Sequence, residues 1–408
     1  MGEKKEYSRR EMLKMSAAAG TGIAIGASGF GSLVQMMDHM AASKETTADA
    51  VVPFYGNHQA GIITPQQTYV YLAGFDIVSD KRSDVIALLK QWTRSAEQWS
   101  KGIFHPAQAN EWLPPKDSGE AIDLGPAKLT VTVGFGPTFF KRGGRDRFGV
   151  ASRAPRHLRD IPRMPHDDLD AGLSGGDLCV QVCANDQQVV FHAIRNLIRS
   201  ATGTAVVKWT KEGFMSAPDG KTPRNLFGFK DGTANVSGSD AEALKRIVWA
   251  GHGEPAWMKG GTYMAYRKIQ MFLEVWDRSS LKDQEDTFGR KKLSGAPYGK
   301  ANEQAEVDVS KLPPNSHVRL AKSTDKQIYR RGYSYTDGID ERTGNVNAGL
   351  LFLSFQRNPD ESFIPMLRLL SKKDALNEYT KHVASGMFAC PGGVRKGEYI
   401  GQRLLEPM

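Results

Sequence analysis

The apolar positions of this chain follow two periods in turn, and the sequence of periods occurs twice. Residues 68–78 (TYVYLAGFDIV) place Tyr69, Tyr71, Ala73 and Phe75 on one face and Val70, Leu72 and Gly74 on the other, a period of two that predicts a strand. Residues 82–100 switch to helical spacing, with Val85, Leu88, Leu89, Trp92 and Trp99 on one side. Strands are predicted at 129–135 and 177–184, a helix at 186–200 and a strand at 203–214. The Gly/Arg/Pro-rich stretch 141–175 has little periodicity and reads as a loop. The order is β-α-β-β-α-β, the ferredoxin-like plan.

The second half repeats it. Strand-like positions fill 262–276, a short helix is predicted at 281–290, and strands follow at 327–335 and 349–356. A helix over 362–372 carries Pro365 in its first turn, where the missing N–H costs little. MFACP (387–391) closes the set. The segments 215–260 and 291–326 interrupt this half, and loops that long in a compact domain are usually functional. The expectation is an α+β fold of two ferredoxin-like domains, antiparallel sheets with helices, at 58–215 and 216–408.

The N-terminus breaks the pattern. YSRREMLK (7–14) precedes an uncharged, Ala/Gly/Ser-rich segment, Met15–Met37. The arginine pair Arg9–Arg10 in S-R-R-x-x-L-K resembles the twin-arginine export signal, with Met12 where Phe is commoner. Residues 1–42 therefore read as a leader, and 43–57 as a linker. That route carries folded proteins, so export after cofactor insertion is expected, to an extracytoplasmic place. The segment is also just long enough to remain as a membrane tether.

Bulk composition adds little. Of 408 residues, 40% are apolar and 24% charged, which suits a folded chain with a real core. The net charge of +9 is scattered, with no basic stripe and interleaved aromatics, so nucleic acid is not the expected partner. Three cysteines are too few for a disulfide scaffold. Cys179 and Cys183 share one strand face and read as small core residues.

Three residues stand out chemically. NLFGFKDGTAN (225–235) holds Asp231 between Gly228 and Gly232, which permit backbone shapes that could aim a carboxylate into a cavity. By itself GFKDG also describes a surface turn. His317 lies in PPNSHVRLA, an irregular stretch before a strand pair, and is one of nine histidines. Arg330 lies among aromatics in IYRRGYSY; pointing inward it needs an anionic partner, and pointing outward it does not.

Taken together, GxxDG, H-x-R-x-A, RRGYSY and GLLFLSFQ resemble the DyP-type (dye-decolourising) haem peroxidases, within them the exported EfeB-like deferrochelatase/peroxidase subgroup. The resemblance runs from HQAGIITPQQ (58–67) to the C-terminus. It implies one haem b per chain, with His317 as the iron ligand on the proximal side. It implies Asp231, presented beside Gly232, and Arg330 as the catalytic pair on the distal side. It implies that Leu351, Leu353 and Phe355 wall the distal pocket. Some members carry Asn two residues after the distal Arg, where this chain has Gly332. The family fold has haem in the second of two ferredoxin-like domains, in a dimeric α+β barrel-like arrangement.

The expected reaction reduces hydrogen peroxide while a small aromatic reductant, a dye or ferrous iron loses electrons. Asp is intrinsically more acidic than His, so an Asp base stays competent in acid and an acidic optimum is expected. The subgroup also implies a link to iron uptake, with iron-importer proteins as partners. Two competing readings remain: release of iron from haem with the porphyrin intact, and non-catalytic haem carriage.

Overall fold

The computed structural model describes residues 50–104, 110–218 and 220–406. The expected leader and the first part of the linker lie outside the described residues. The first half runs β1 (Tyr69–Ile77), α1 (Arg82–Trp99), β2 (Thr130–Phe135), β3 (Leu178–Ala184), α2 (Gln187–Ala201) and β4 (Ala205–Phe214). β1 is buried on both faces: Val70 and Leu72 enter one apolar cluster, and Ala73, Phe75 and Ile77 another. α1 lays Val85, Leu88, Leu89, Trp92, Ala96 and Trp99 onto the second face, with the Trp92 and Phe75 ring centres 5.2 Å apart. α2 begins where the Asp186 carboxylate accepts the Val189 N–H at 2.9 Å, satisfying one of the donors left open at a helix start.

The second half runs α3 (Ala241–Ile247), β5 (Thr262–Met271), α4 (Leu281–Phe288), α5 (His317–Lys322), β6 (Tyr329–Arg330), β7 (Tyr333–Ile339), β8 (Val346–Gln356), α6 (Phe363–Lys373) and β9 (Thr380–Cys390). Three details depart from expectation. The strand expected over 262–276 stops at Met271, and Leu273–Trp276 turn helically. The strand expected over 327–335 is split at Arg331–Gly332. The closing strand starts at Thr380, well before residue 387, because Lys381, His382 and Ser385 hide its alternation.

Within each half the sheet order is the same. The first reads β2-β3-β1-β4 and the second β7-β8-β5-β9, with β6 continuing the line of β7 along β8. This is the strand order of the ferredoxin-like plan, twice. The halves meet at two narrow seams, Phe135 opposite Ala389 and Phe214 opposite Ser334, so eight antiparallel strands close into a barrel.

The barrel interior is filled by side chains, including Val70, Leu72, Trp209, Tyr266, Tyr333, Leu351, Leu353 and Phe355. Cys179, Cys183 and Cys390 join them as buried free thiols, in keeping with a core role. Among the described residues, no helix is long and apolar enough to cross a membrane.

Candidate active site

The loop carrying Asp231 is held by its own aromatics. Asn225 Oδ1 accepts the N–H groups of Phe227 and Phe229 at 3.1 and 3.2 Å, curling the chain so that both rings turn inward. They join Trp276, Phe288, Met271 and Leu350 in a buried cluster. Phe229 stacks on Phe288 at 4.0 Å. Gly228, at φ +83°, takes a conformation that side chains avoid, and an added Cβ would lie 2.9 Å from Lys292 Cε. With its base fixed, the loop brings Asp231 to Arg330 at the end of β6. Arg330 Nη1 donates to Asp231 Oδ1 at 3.2 Å, across 99 residues of sequence. The two side chains are 27% and 15% exposed, so each is sheltered yet reachable. Oδ2 of Asp231 stays clear of this bond and lies 3.9 Å from where a Cβ on Gly332 would stand.

His317 reaches the same aromatic cluster from elsewhere. It is the first residue of α5, in a helix where the sequence suggested irregular chain. α5 can approach α4 because α4 ends at Gly289, in the left-handed region at φ +81°; a Cβ there would lie 3.0 Å from Ser316 Oγ. The His317 ring then lies 6.3 Å from the Phe288 ring, edge to face. Its Nδ1 is 2.6 Å from Asp374 Oδ2. A carboxylate only accepts, so Nδ1 carries the proton and Nε2 holds the free lone pair. Asp374 is held in turn: its side chain is 4% exposed, and its Oδ1 accepts the Leu376 N–H at 2.9 Å. This is the arrangement that orients a metal-binding imidazole and raises its basicity.

Among the described residues, no three His, Cys, Asp or Glu side chains converge to hold a metal ion. Haem fits this donor set because the porphyrin supplies four ligands to iron and asks the protein for one imidazole. His317, with Nδ1 turned to Asp374, presents an imidazole Nε2 of the kind haem asks for. Asp231 and Arg330 are the remaining chemistry-bearing pair.

The walls need a correction. Leu351, Leu353 and Phe355 face the barrel interior with Val70 and Tyr266, away from Arg330. Residues directly opposite in an antiparallel ladder share a face, and Arg330 stands opposite Ser354. The even-numbered residues of β8 therefore share its side: Leu350 joins the cluster of Phe227 and Phe229, and the partly buried Phe352 packs against it. Reading strand parity from the motif alone placed the wall one residue off. Gly232, at φ +113°, shapes the turn after Asp231. Sequence reasoning left the histidine's partner unnamed. Asp374 lies 57 residues from His317, in SKKDALNE, with no spacing that marks it.

The family model for the N-terminal part of Dyp-type peroxidases matches residues 59–215, and that for the C-terminal part matches residues 222–395. The chain belongs to the Dyp-type peroxidase family. Peroxidases of this family are haem enzymes, as the donor set at His317 allows. A Deferrochelatase of Escherichia coli K12 is 39% identical over 373 residues, covering 86% of this chain and 87% of its own. A DyP-type peroxidase from Streptomyces coelicolor matches with TM-score 0.81 and 38% identity, over 88% of this chain and 98% of its own. The ferric form of DtpA from Streptomyces lividans matches equally, with TM-score 0.81 and 38% identity, over 89% of this chain and 100% of its own.

Proposed function

We propose that this Dyp-type peroxidase reduces hydrogen peroxide at a haem held by His317 and takes the electrons one at a time from a small reductant. The observation that carries the reading is the pairing of two elements beside one aromatic cluster: His317 fixed by Asp374, and Asp231 fixed by Arg330. Bound haem supplies an open iron position and the electrons for O–O cleavage. Asp231 Oδ2 takes the proton from one peroxide oxygen and returns it to the other. Arg330 cannot give up its proton, so it is a permanent positive charge beside the negative charge that builds on the departing oxygen before the proton from Asp231 arrives and it leaves as water. Asp374 keeps the Nδ1 proton of His317 in place and leaves Nε2 to the iron.

Ferrous iron is our preferred physiological reductant among aromatic compounds, dyes and ferrous iron. It would unite peroxidase chemistry with the iron-linked name of the 39% identical relative. That name also supports a second reading, iron release from haem with the porphyrin intact. Analysis of products separates the two, oxidised reductant against iron-free porphyrin. We further read residues 58–215 and 216–408 as separate ferredoxin-like domains and the protein as a dimer. We read it as exported by the twin-arginine route, which the Arg9–Arg10 motif supports, and as working there beside iron-importer proteins.

The test is the absorption spectrum of haem-loaded protein before and after one equivalent of peroxide, beside His317→Ala. We expect a Soret shift in the parent and weakened haem binding in the variant. Haem bound but inert to peroxide would support the carrier reading instead, and no haem binding at all would end the proposal.

A further inference from the structure

The strand that presents Arg330 is broken directly after it. β6 ends at Arg330, β7 begins at Tyr333, and Arg331–Gly332 lie between them. A short strand segment at a break has little ladder to hold it, yet Arg330 must keep its place against Asp231. On the β8 side the Arg331 N–H donates to the Leu353 carbonyl at 2.9 Å, and on the open side the Arg330 backbone groups are held by a side chain. Asn235 Oδ1 accepts the Arg330 N–H at 3.0 Å, and Asn235 Nδ2 donates to the Arg330 carbonyl at 2.7 Å. One amide thus pairs with both backbone groups of one residue, as a neighbouring strand would. Asn235 belongs to the Asp231 loop, and its own N–H donates to the Gly232 carbonyl at 3.0 Å. The loop with the proton acceptor and the strand with the fixed cation are therefore tied at the backbone as well as through the side chains.

The far side of the break is held from the N-terminal segment. Gln66 Nε2 donates to the Gly332 carbonyl at 2.6 Å. The buried Arg331 guanidinium points the other way, donating to Gln67 Oε1 at 2.6 Å and to the Thr64 carbonyl. The TPQQ segment at 64–67 thus grips the two residues that follow Arg330.

We propose that Asn235 is a positioning residue for Arg330, setting its distance from Asp231, and that Gln66 supports the same strand break from the other side. This rests on the roles given above to Asp231 and Arg330. The amide is suited to the task because it offers one donor and one acceptor in a plane and carries no charge that would compete for Arg330.

The experiment is a double-mutant cycle on full-length, haem-loaded protein, read as the second-order rate with hydrogen peroxide in stopped flow. Asn235→Ala should lower that rate by about 10-fold to 100-fold, the scale set by a misplaced catalytic group. The KM for the reductant and the haem content should stay close to the parent's. In an Arg330→Ala background the same change should cost less than about twofold, because there is no guanidinium left to place. Gln66 is exposed, so Gln66→Ala should fold, and it should show a smaller loss of about threefold that also vanishes with Arg330→Ala. If Asn235→Ala fails to take up haem, the Gln66 cycle decides. Parent rates in both single variants, or an undiminished loss in the Arg330→Ala background, would overturn the proposal. An Arg330→Ala protein with the parent rate would overturn the roles assigned above, whatever the cycle shows.

Discussion

The two halves of the barrel share a strand order and use it for opposite ends. In the first, helices of 18 and 15 residues cover the outer face of the sheet. Phe75, Val85, Leu89, Trp92, Val133 and Leu197 meet there with almost no exposure. In the second, the corresponding helices have 8 and 11 residues. The chain saved from helix goes into the loops that bring Asp231 and His317 to the sheet. The same face also accepts charge: Arg267 is buried, its Nε donates to His382 Nδ1 at 2.9 Å, and it forms an ion pair with buried Asp167. A repeated plan can thus be covered by long helices in one copy and carry chemistry-bearing loops in the other. The difference lies in the connections, since the strands are alike.

Chemistry confined to the second half predicts the largest effect. Arg330→Ala should lower the second-order rate with peroxide about 100-fold or more while haem stays bound, and Asp231→Asn should cost as much or less. Stopped-flow rates beside haem spectra check this, and an unimpaired Arg330→Ala enzyme would break the division of labour. The converse change is Trp92→Ala in α1. Trp92 is 1% exposed and donates to the Leu197 carbonyl at 3.1 Å, so truncation should cost about 3–5 kcal/mol of stability. Peroxide turnover per folded, haem-loaded molecule should not change. A drop in that specific rate would mean that the first half is more than a scaffold.

The charged outer face of the second half gives a pH dependence. Burial, helped by the Arg267 charge, lowers the His382 pKa to about 3. In the folded protein the ring stays neutral, whereas the unfolded chain protonates it below its ordinary value of about 6.5. The unfolded state then binds the extra proton, so stability is full above about pH 6.5 and falls as pH drops toward about 3. By about pH 4 the loss should reach about 3 kcal/mol, and His382→Asn should flatten the curve. Denaturant melts across this range would show it, and equal slopes in both proteins would exclude His382 as the cause. An acidic optimum would then be met at the expense of stability.

The smallest effect is expected at Gly332, beside Asp231 Oδ2. A Cβ there would lie 3.3 Å from Leu350 Cδ1 and 3.9 Å from Asp231 Oδ2, so Leu350 must give by a few tenths of an ångström. Gly332→Ala should change the peroxide rate by less than about threefold. A larger loss would show that the space beside Oδ2 is itself used.

Much of this was legible in the chain before any coordinates. The repeat of periods marked the strands and helices of both halves, because each buries its faces in a regular way. Asp231, His317 and Arg330 were singled out by their motifs, and the structure pairs Asp231 with Arg330 and His317 with Asp374. Which β8 residues share the Arg330 side was not legible, since Leu350 and Leu351 differ only in parity, and parity depends on which face the ladder turns inward. The split after Arg330 was also hidden, because RRGYSY keeps its alternation through the break.

The sequence by itself determined the periods, the order of elements and the residue types able to serve haem and peroxide, because these depend on local spacing and intrinsic chemistry. Only the tertiary structure decided which residues meet. Asp374 finds His317 across 57 residues, Arg330 finds Asp231 across 99, and Asn235 finds the Arg330 backbone across 95. These pairings follow from the closing of the barrel and the stacking of Phe229 on Phe288. Such contacts are products of packing in three dimensions, and no period along the chain encodes them.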